Sequence, residues 1–268
     1  MIYMDNHIVG YISINYSGRL GNVLFELAST YGLSKKYGRE FIINQNQINQ
    51  IVIPANIRDY LLRKHVANKN INIDFTYDEP NQNFSYNYFN LERRYKHILL
   101  KGYFQSDMYF KDYRNDIINW FSISTENLKH AIIKYNPYNK VFIHVRRGDY
   151  LIHPFHNLFD DKYYERAMAF FSNDSDVQYL VFSDDVNFCK NQKIFAGCTF
   201  VEDGELNELE TINLMKLCTK GAITANSSFS WWGAWLNENN NKKIVMPEKW
   251  MKLYPEGHLG IYFDVIIT

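Results

Sequence analysis

At 268 residues with 46% apolar side chains, the chain can form one large globular domain or two modest ones. Twenty-nine basic residues balance 29 acidic ones, which excludes a global field for nucleic acid or an anionic membrane, so any phosphate affinity must be local. Asn, Ile, Lys and Tyr are abundant in segments with and without motifs, and we read that bias as genomic.

Met1 to Gly10 carries Asp5 and His7 and no long apolar core, so no secretory signal or membrane anchor is expected there. No later stretch approaches the roughly 18 apolar residues needed to span a bilayer. Three cysteines, Cys189, Cys198 and Cys218, match no zinc spacing and predict reduced, buried thiols in a cytoplasmic protein. The first strand is expected over 11–16. A loop, Ser17-Gly18-Arg19-Leu20-Gly21-Asn22, leads into a helix with Val23, Leu24, Leu27, Ala28 and Tyr31 on one face, stopped by Gly38, before a strand over 41–43. That order is a βαβ unit whose helix N-terminus can hold an anion, or else a tight turn needing two glycines.

From 45 to 95 the pattern blurs. Ile57 to Leu62 reads as a helix, and Tyr86, Tyr88 and Phe89 suit core packing more than sugar stacking. A buried strand is expected over 98–104, helices over 116–121 and 126–135, and a linker at Asn136-Pro137-Tyr138-Asn139. The domains are therefore placed at 1–139 and 140–268.

Lys140 to Val145 lacks the polar alternation of a half-exposed strand and suits a parallel sheet covered on both faces. Gly148 breaks it. In open α/β sheets ligands bind beyond the carboxyl ends of strands, which is where His144, Arg146, Arg147 and Asp149 project. Two adjacent guanidinium forks suit phosphate oxygens; the plainer alternative is an Arg-Asp surface pair that stabilises little. Asp160 can cap a helix running to Phe171, and a strand over 178–183 ends in Asp184-Asp185. A strand over 199–202, an amphipathic helix over 206–218 and a strand over 221–225 follow. Then come Asn226-Ser227-Ser228-Phe229-Ser230 and Trp231, Trp232 and Trp235, before a last strand over 243–246. Three serines after a strand, at a helix start, make either a phosphate cradle or an ordinary cap by Ser227 or Ser228.

His144-Val145-Arg146-Arg147-Gly148-Asp149-Tyr150, Gly18-Arg19-Leu20-Gly21-Asn22, Gly102-Tyr103-Phe104-Gln105-Ser106, Phe182-Ser183-Asp184-Asp185 and the stretch Ala225 to Leu236 occur in the order seen in α-1,2-fucosyltransferases. Over positions 18–236 the chain resembles a bacterial member of that family. The resemblance implies an α/β fold of two Rossmann-like domains facing across a cleft, the GT-B type, with GDP-L-fucose held mainly by the C-terminal domain. It implies Arg146 on the β-phosphate, His144 and one of Asp184 or Asp185 at the nucleoside, Ser228 to Ser230 at the pyrophosphate, and Arg19 and Asn22 closing from the N-terminal domain. Asn226, Ser227, Phe229 and Arg147 complete the expected substrate contacts. Val23 and Glu26 depart from the glutamines commoner in the family.

The reaction so implied moves L-fucose to the 2-hydroxyl of a terminal β-galactose with inversion, in surface-glycan synthesis. Its partners would be GDP-fucose and a β-galactoside, with no nucleic acid and at most peripheral membrane association through a lipid-linked acceptor. Negative charge grows on the leaving phosphate. Asp174-Ser175-Asp176 fits a metal-binding Asp-x-Asp literally, but it precedes its strand and so lies at the wrong sheet edge; no metal or other cofactor is expected, and fixed donors, chiefly Arg146, take its place. Asp149 either accepts the acceptor's proton or orients Arg147. Other readings are a GDP-fucose-dependent transferase of different acceptor or linkage, a non-catalytic nucleotide-sugar module, and a phosphohydrolase using His144 as nucleophile.

Overall fold

The computed structural model describes residues 10–43, 45–63, 71–80, 86–92, 94–153, 156, 160–172, 176–248, 250 and 265–267. The described chain divides into two compact units, the first running to Phe121 and the second starting at Ser122.

The first unit holds β1 (Tyr11–Ile14), α1 (Leu20–Lys36), β2 (Glu40–Phe41), α2 (Gln45–Ile48), α3 (Ala55–Leu62), β3 (Phe75–Asp78), β4 (His97–Lys101) and α4 (Arg114–Phe121). Its four strands lie in the order β2-β1-β4-β3, all pairs parallel. The expected βαβ unit is β1-α1-β2. Burial of Val23, Leu24, Leu27 and Ala28, the face expected from periodicity, seats α1 on the sheet, and Gly32 lets it come so close to Tyr109 that a Cβ there would lie 2.1 Å from the Tyr109 carbonyl oxygen. The strand expected over 98–104 stops at Lys101, because Gly102 (φ +137°) and Phe104 (φ +48°) turn the chain out of the extended region. β3, FTYD, alternates aromatic and polar residues over only four positions, too short a run to mark a strand, and was not expected.

The second unit holds α5 (Lys129–Tyr135), β5 (Lys140–Val145), α6 (Asp161–Phe171), β6 (Gln178–Ser183), α7 (Val186–Lys190), β7 (Thr199–Phe200), α8 (Glu208–Lys216), β8 (Gly221–Ile223), α9 (Ser228–Trp235), β9 (Lys243–Pro247) and β10 (Val265–Ile267). The stretch expected as a linker is a turn between α5 and β5: Asn136 ends α5 in the left-handed region, and Asn139 is also left-handed at φ +67°. Asp160 caps α6 as expected, accepting from the Lys162 N–H. Asn207 and Glu210 form a capping box on α8.

All six residues of β5 are buried, as expected of a central strand. Phe142 packs with Ala131 and Tyr135 of α5, Leu214 and Met215 of α8 and Ala234 of α9. Val141, Ile143 and Val145 pack with Tyr163, Tyr164, Ala167 and Phe171 of α6 and Cys189 of α7. Alternate residues of one strand thus serve two cores, and each large side chain stabilises the fold by about 1.5–3 kcal/mol relative to exposure. The strand order is β10-β9-β8-β5-β6-β7. From β5 the chain winds outward through β6 and β7, then returns to β8 on the other side of β5. The carboxyl ends of β5 and β8 are therefore a topological switch point, where loops diverge and a ligand can enter.

The three cysteines are free; Cys189 and Cys218 are buried as expected, whereas Cys198 is only half-buried. No described helix is long and apolar enough to cross a membrane.

Candidate functional site

Two loops leave the switch point. One follows β5 and carries Arg146, Arg147 and a 3-10 turn, Gly148–Leu151. The other follows β8 and carries Asn226 and Ser227 into α9. Tyr150 ties them together by donating its hydroxyl to the Asn226 carbonyl at 2.9 Å. Burial pushes that phenol up to about 12, so it stays protonated and remains a donor.

Arg146 sits between two carboxylates. Its Nη2 donates to Asp149 at 2.6 Å and its Nη1 lies 2.9 Å from Asp184 Oδ2. The Asp184 carboxylate also accepts the Arg147 backbone N–H at 2.8 Å. The Arg147 side chain turns the other way, with Nε on Asp185 at 3.0 Å and its guanidinium carbon 3.4 Å from the centre of the Phe188 ring. Asp185 also caps α7 through the Phe188 N–H, and these contacts hold its carboxyl below the usual range. The expected Arg147–Asp149 pair is therefore corrected. The turn that begins at Gly148 brings Asp149 back to Arg146, the first residue after β5, while the next residue, Arg147, faces away. The arginine that Asp149 contacts is Arg146.

Gly148 is required by close approach. A Cβ there would lie 2.4 Å from Asp184 Oδ2, so a side chain would push the aspartate off Arg146.

His144 is buried on the Phe142 face of the sheet, its ring centre 5.6 Å from that of Phe229. Its Nδ1 finds no hydrogen-bond partner among the described residues. Burial first, and Arg146 second, lower it to about 3, so the ring is neutral at any working pH.

Ser227, one of the two serines expected to cap, accepts the Phe229 N–H at the start of α9. Ser228 and Phe229 are partly exposed in the first turn. Ser230 is fully buried, and its hydroxyl donates to the Ser227 carbonyl at 3.2 Å. Asn226 is turned inward, its amide donating to the Trp250 carbonyl at 2.9 Å. Behind the turn, Trp231 and Trp235 stack at 5.8 Å while Trp232 meets both edge-on.

Arg19 and Asn22 belong to the first unit. Arg19 is the extended residue preceding α1, and Asn22 accepts from Gln105 Nε2 at 2.8 Å. Gly18 has φ +79°. Of the aromatic residues considered for a sugar site, Phe89 stacks on Tyr77 at 3.8 Å and Tyr86 packs against Tyr109, while Tyr88 is exposed. Asp174 and Ser175 lie outside the described residues, among which no group of three or more His, Cys, Asp or Glu could hold a metal.

Sequence reasoning passed over Tyr150 and Phe188, and read Gly148 only as a strand breaker. Tyr150 adjoins the arginine motif and was quoted only as part of it. Nothing in the local pattern distinguishes Phe188 from a core aromatic.

The site thus sets two guanidinium groups, each paired with aspartate, and a helix start at the carboxyl ends of β5 and β8. The sequence matches glycosyl transferase family 11 over residues 2–252. It is 29% identical to the O-antigen biosynthesis glycosyltransferase WbnK of Escherichia coli, over 87% of this chain and 93% of that one. It is 31% identical to an α-1,2-colitosyltransferase of Escherichia coli over 56% of this chain and 55% of the relative. With galactoside α-(1,2)-fucosyltransferase 2 of Bos taurus it shares 27% over 85% and 69% of the two chains. The crystal structure of NodZ α-1,6-fucosyltransferase soaked with GDP-fucose has the same fold, with a TM-score of 0.55 over 85% of this chain and 92% of that one at 11% identity. The fold is of the GT-B glycosyltransferase type, and the chain belongs to glycosyl transferase family 11, the family of the α-1,2-fucosyltransferases.

Proposed function

We propose that the protein transfers L-fucose from GDP-β-L-fucose to the 2-hydroxyl of a terminal β-galactose, with inversion, in the synthesis of a surface glycan. The observation that carries this reading is Arg146, held between Asp149 and Asp184 at the switch point between β5 and β8. In the reaction the bond from fucose C1 to the β-phosphate oxygen breaks and a bond from C1 to the galactose oxygen forms. The acceptor's proton passes to a base, and GDP leaves with the electron pair of the broken bond.

Arg146 would meet the β-phosphate, and the positive end of the α9 dipole, with Ser228, would meet the pyrophosphate. His144, neutral and tilted against the Phe229 ring, would face the nucleoside. An ionised aspartate accepts from the guanine N1–H and exocyclic amine, donors that adenine does not present in that pattern. Asp184 or Asp185 would fill that role on exchanging an arginine for the base. Arg19 and Asn22 would reach the donor from the first unit. We place the protein in the cytoplasm, where GDP-sugars are made.

A second reading changes only the donor sugar, since one relative is a colitosyltransferase. The experiment is incubation of the purified protein with GDP-fucose or GDP-colitose and an array of β-galactosides, with linkage analysis of any product and competition by GDP, ADP and UDP. Transfer of fucose to O2 of galactose, inhibited by GDP well below the concentrations of ADP or UDP, is the expected result. Exclusive use of GDP-colitose, a product linked elsewhere, or equal inhibition by the three nucleotides would each overturn the matching part of the proposal.

A further inference from the structure

Glu26 is fully buried in α1, where a carboxyl group is costly unless it is neutral and hydrogen-bonded. Its two oxygens lie 3.0 and 3.2 Å from the backbone N–H of Ser17, nine residues earlier. Ser17 opens the loop that carries Arg19. Next to it Gly18 takes φ +79°, and a Cβ there would lie 2.3 Å from Asn22 Nδ2, so the loop is closed tightly against the first turn of the helix. Arg19 follows in an extended conformation, its carbonyl accepting the N–H groups of Asn22 and Val23. The direction in which Arg19 leaves the backbone is therefore set by a loop with α1 on one side and the Ser17–Glu26 contact on the other.

Among the described residues, the surroundings of Glu26 suit an acceptor and supply no counter-ion. The titratable groups that act on it are the Tyr16 hydroxyl, itself buried, and the Glu79 carboxyl. Burial is the largest influence on Glu26 and raises it well above the usual range; the Ser17 N–H opposes the rise, and Glu79 adds to it. Glu79 does comparable work on the neighbouring loop. It accepts the Phe104 N–H at 2.8 Å and lies under Gly102, whose absent Cβ would fall 2.4 Å from the Glu79 Cβ. The two loops meet through Gln105 and Asn22 at 2.8 Å.

We propose that Glu26 is the positioning residue for Arg19: its carboxyl group holds the Ser17 N–H and thereby fixes the loop from which Arg19 projects. This rests on the proposed contact of Arg19 with the donor. A leucine in place of Glu26 fills a similar volume and removes the acceptor; a glutamine keeps an acceptor oxygen at the same reach; an aspartate withdraws it by one methylene.

The test has two readouts. Amide exchange at Ser17 should be slow in the wild type and in Glu26→Gln, and faster in Glu26→Leu and Glu26→Asp. Steady-state kinetics should show Glu26→Leu changing the same parameter as Arg19→Ala, kcat or donor KM, by about tenfold, the scale of a lost hydrogen bond to a charged or buried group. Glu26→Gln should restore most of that loss. In the Arg19→Ala background Glu26→Leu should cost less than a further twofold. Unchanged exchange at Ser17 in both Glu26→Leu and Glu26→Asp, or a loss that adds in full on top of Arg19→Ala, would overturn the proposal. If Glu26→Leu does not fold, Glu26→Asp carries the same comparison. A wild type that binds no GDP-sugar would instead overturn the reading of the site and leave the exchange result at Ser17 standing.

Discussion

Asp184 and Arg146 are joined across two neighbouring strands: the aspartate follows the end of β6, the arginine follows the end of β5, and Oδ2 and Nη1 lie 2.9 Å apart. The Arg146 guanidinium is thus fixed before any ligand arrives. A donor that is already oriented needs no reorganisation as charge builds on a leaving group, which is why such contacts act in the transition state.

Arg146→Ala should therefore lower kcat by about 10²–10³-fold, and Arg146→Lys should recover only part, because a point charge cannot hold two oxygens at once. Asp149→Asn should lower kcat through the same arginine, so that its effect shrinks in the Arg146→Ala background. Arg147→Ala removes a pairing with Asp185 and the stack on Phe188, and should appear mainly as a lower unfolding temperature. Steady-state kinetics and thermal unfolding on the same preparations separate these outcomes. A folded Arg146→Ala protein retaining more than about a tenth of kcat would remove Arg146 from the transition-state role.

Gly148→Ala provides a test at a distance from charge deletion. The added methyl would meet Asp184 Oδ2 at 2.4 Å, and the flexible end of that side chain can move aside, so the fold should survive while the Arg146–Asp184 contact does not. Loss of a charged hydrogen bond costs about 1.5–3 kcal/mol, or roughly 10–100-fold in affinity. Calorimetric titration with GDP should show weakening on that scale. Wild-type affinity would mean that Asp184 does not matter to nucleotide binding.

Glu79 makes stability depend on pH. Burial raises it from the ordinary 4.5 to about 7, against the lowering by the Phe104 and Tyr103 N–H groups. Between those values the folded protein holds a proton that the unfolded chain has released, so the Glu79 contribution is most favourable below about 4.5 and is lost as pH rises toward about 7. Glu79→Gln, which cannot ionise, should flatten this part of the profile, on a scale of ~2–4 °C per kcal/mol. Differential scanning measurements from pH 4.5 to 7 check it, and parallel profiles for the two proteins would count against this account.

The proposed role of Arg146 at the leaving group also bears on metal dependence. With Arg146 and the α9 start in that role, EDTA should leave turnover nearly unchanged, and Asp174→Ala should be mild. A tenfold loss on chelation, restored by Mn²⁺ or Mg²⁺, would refute this.

Much of the second unit could be read from residues alone. β5 and β6 lie where apolar runs predict them, and Asp160 caps α6, because a strand covered on both faces is mostly apolar and a helix start needs an acceptor. The ligand edge at the end of β5 could also be located, since strand, charge cluster and glycine succeed one another within residues 140–149; that β8 returns beside it to make a switch point was decided by strand order. Which arginine meets which aspartate was decided by tertiary structure. The pairing of Arg146 with Asp149 and Asp184, and of Arg147 with Asp185 and Phe188, depends on a 3-10 turn and on strand register, and both bring together side chains that composition and spacing leave interchangeable. The same holds for Glu26. In sequence it is one acidic residue whose neighbours a turn away, Asn22, Ser29 and Thr30, are polar; only the fold buries it and returns Ser17 to within 3.0 Å of its carboxyl group, because hydrogen bonds across nine residues are made by a closed loop and leave no periodic signal.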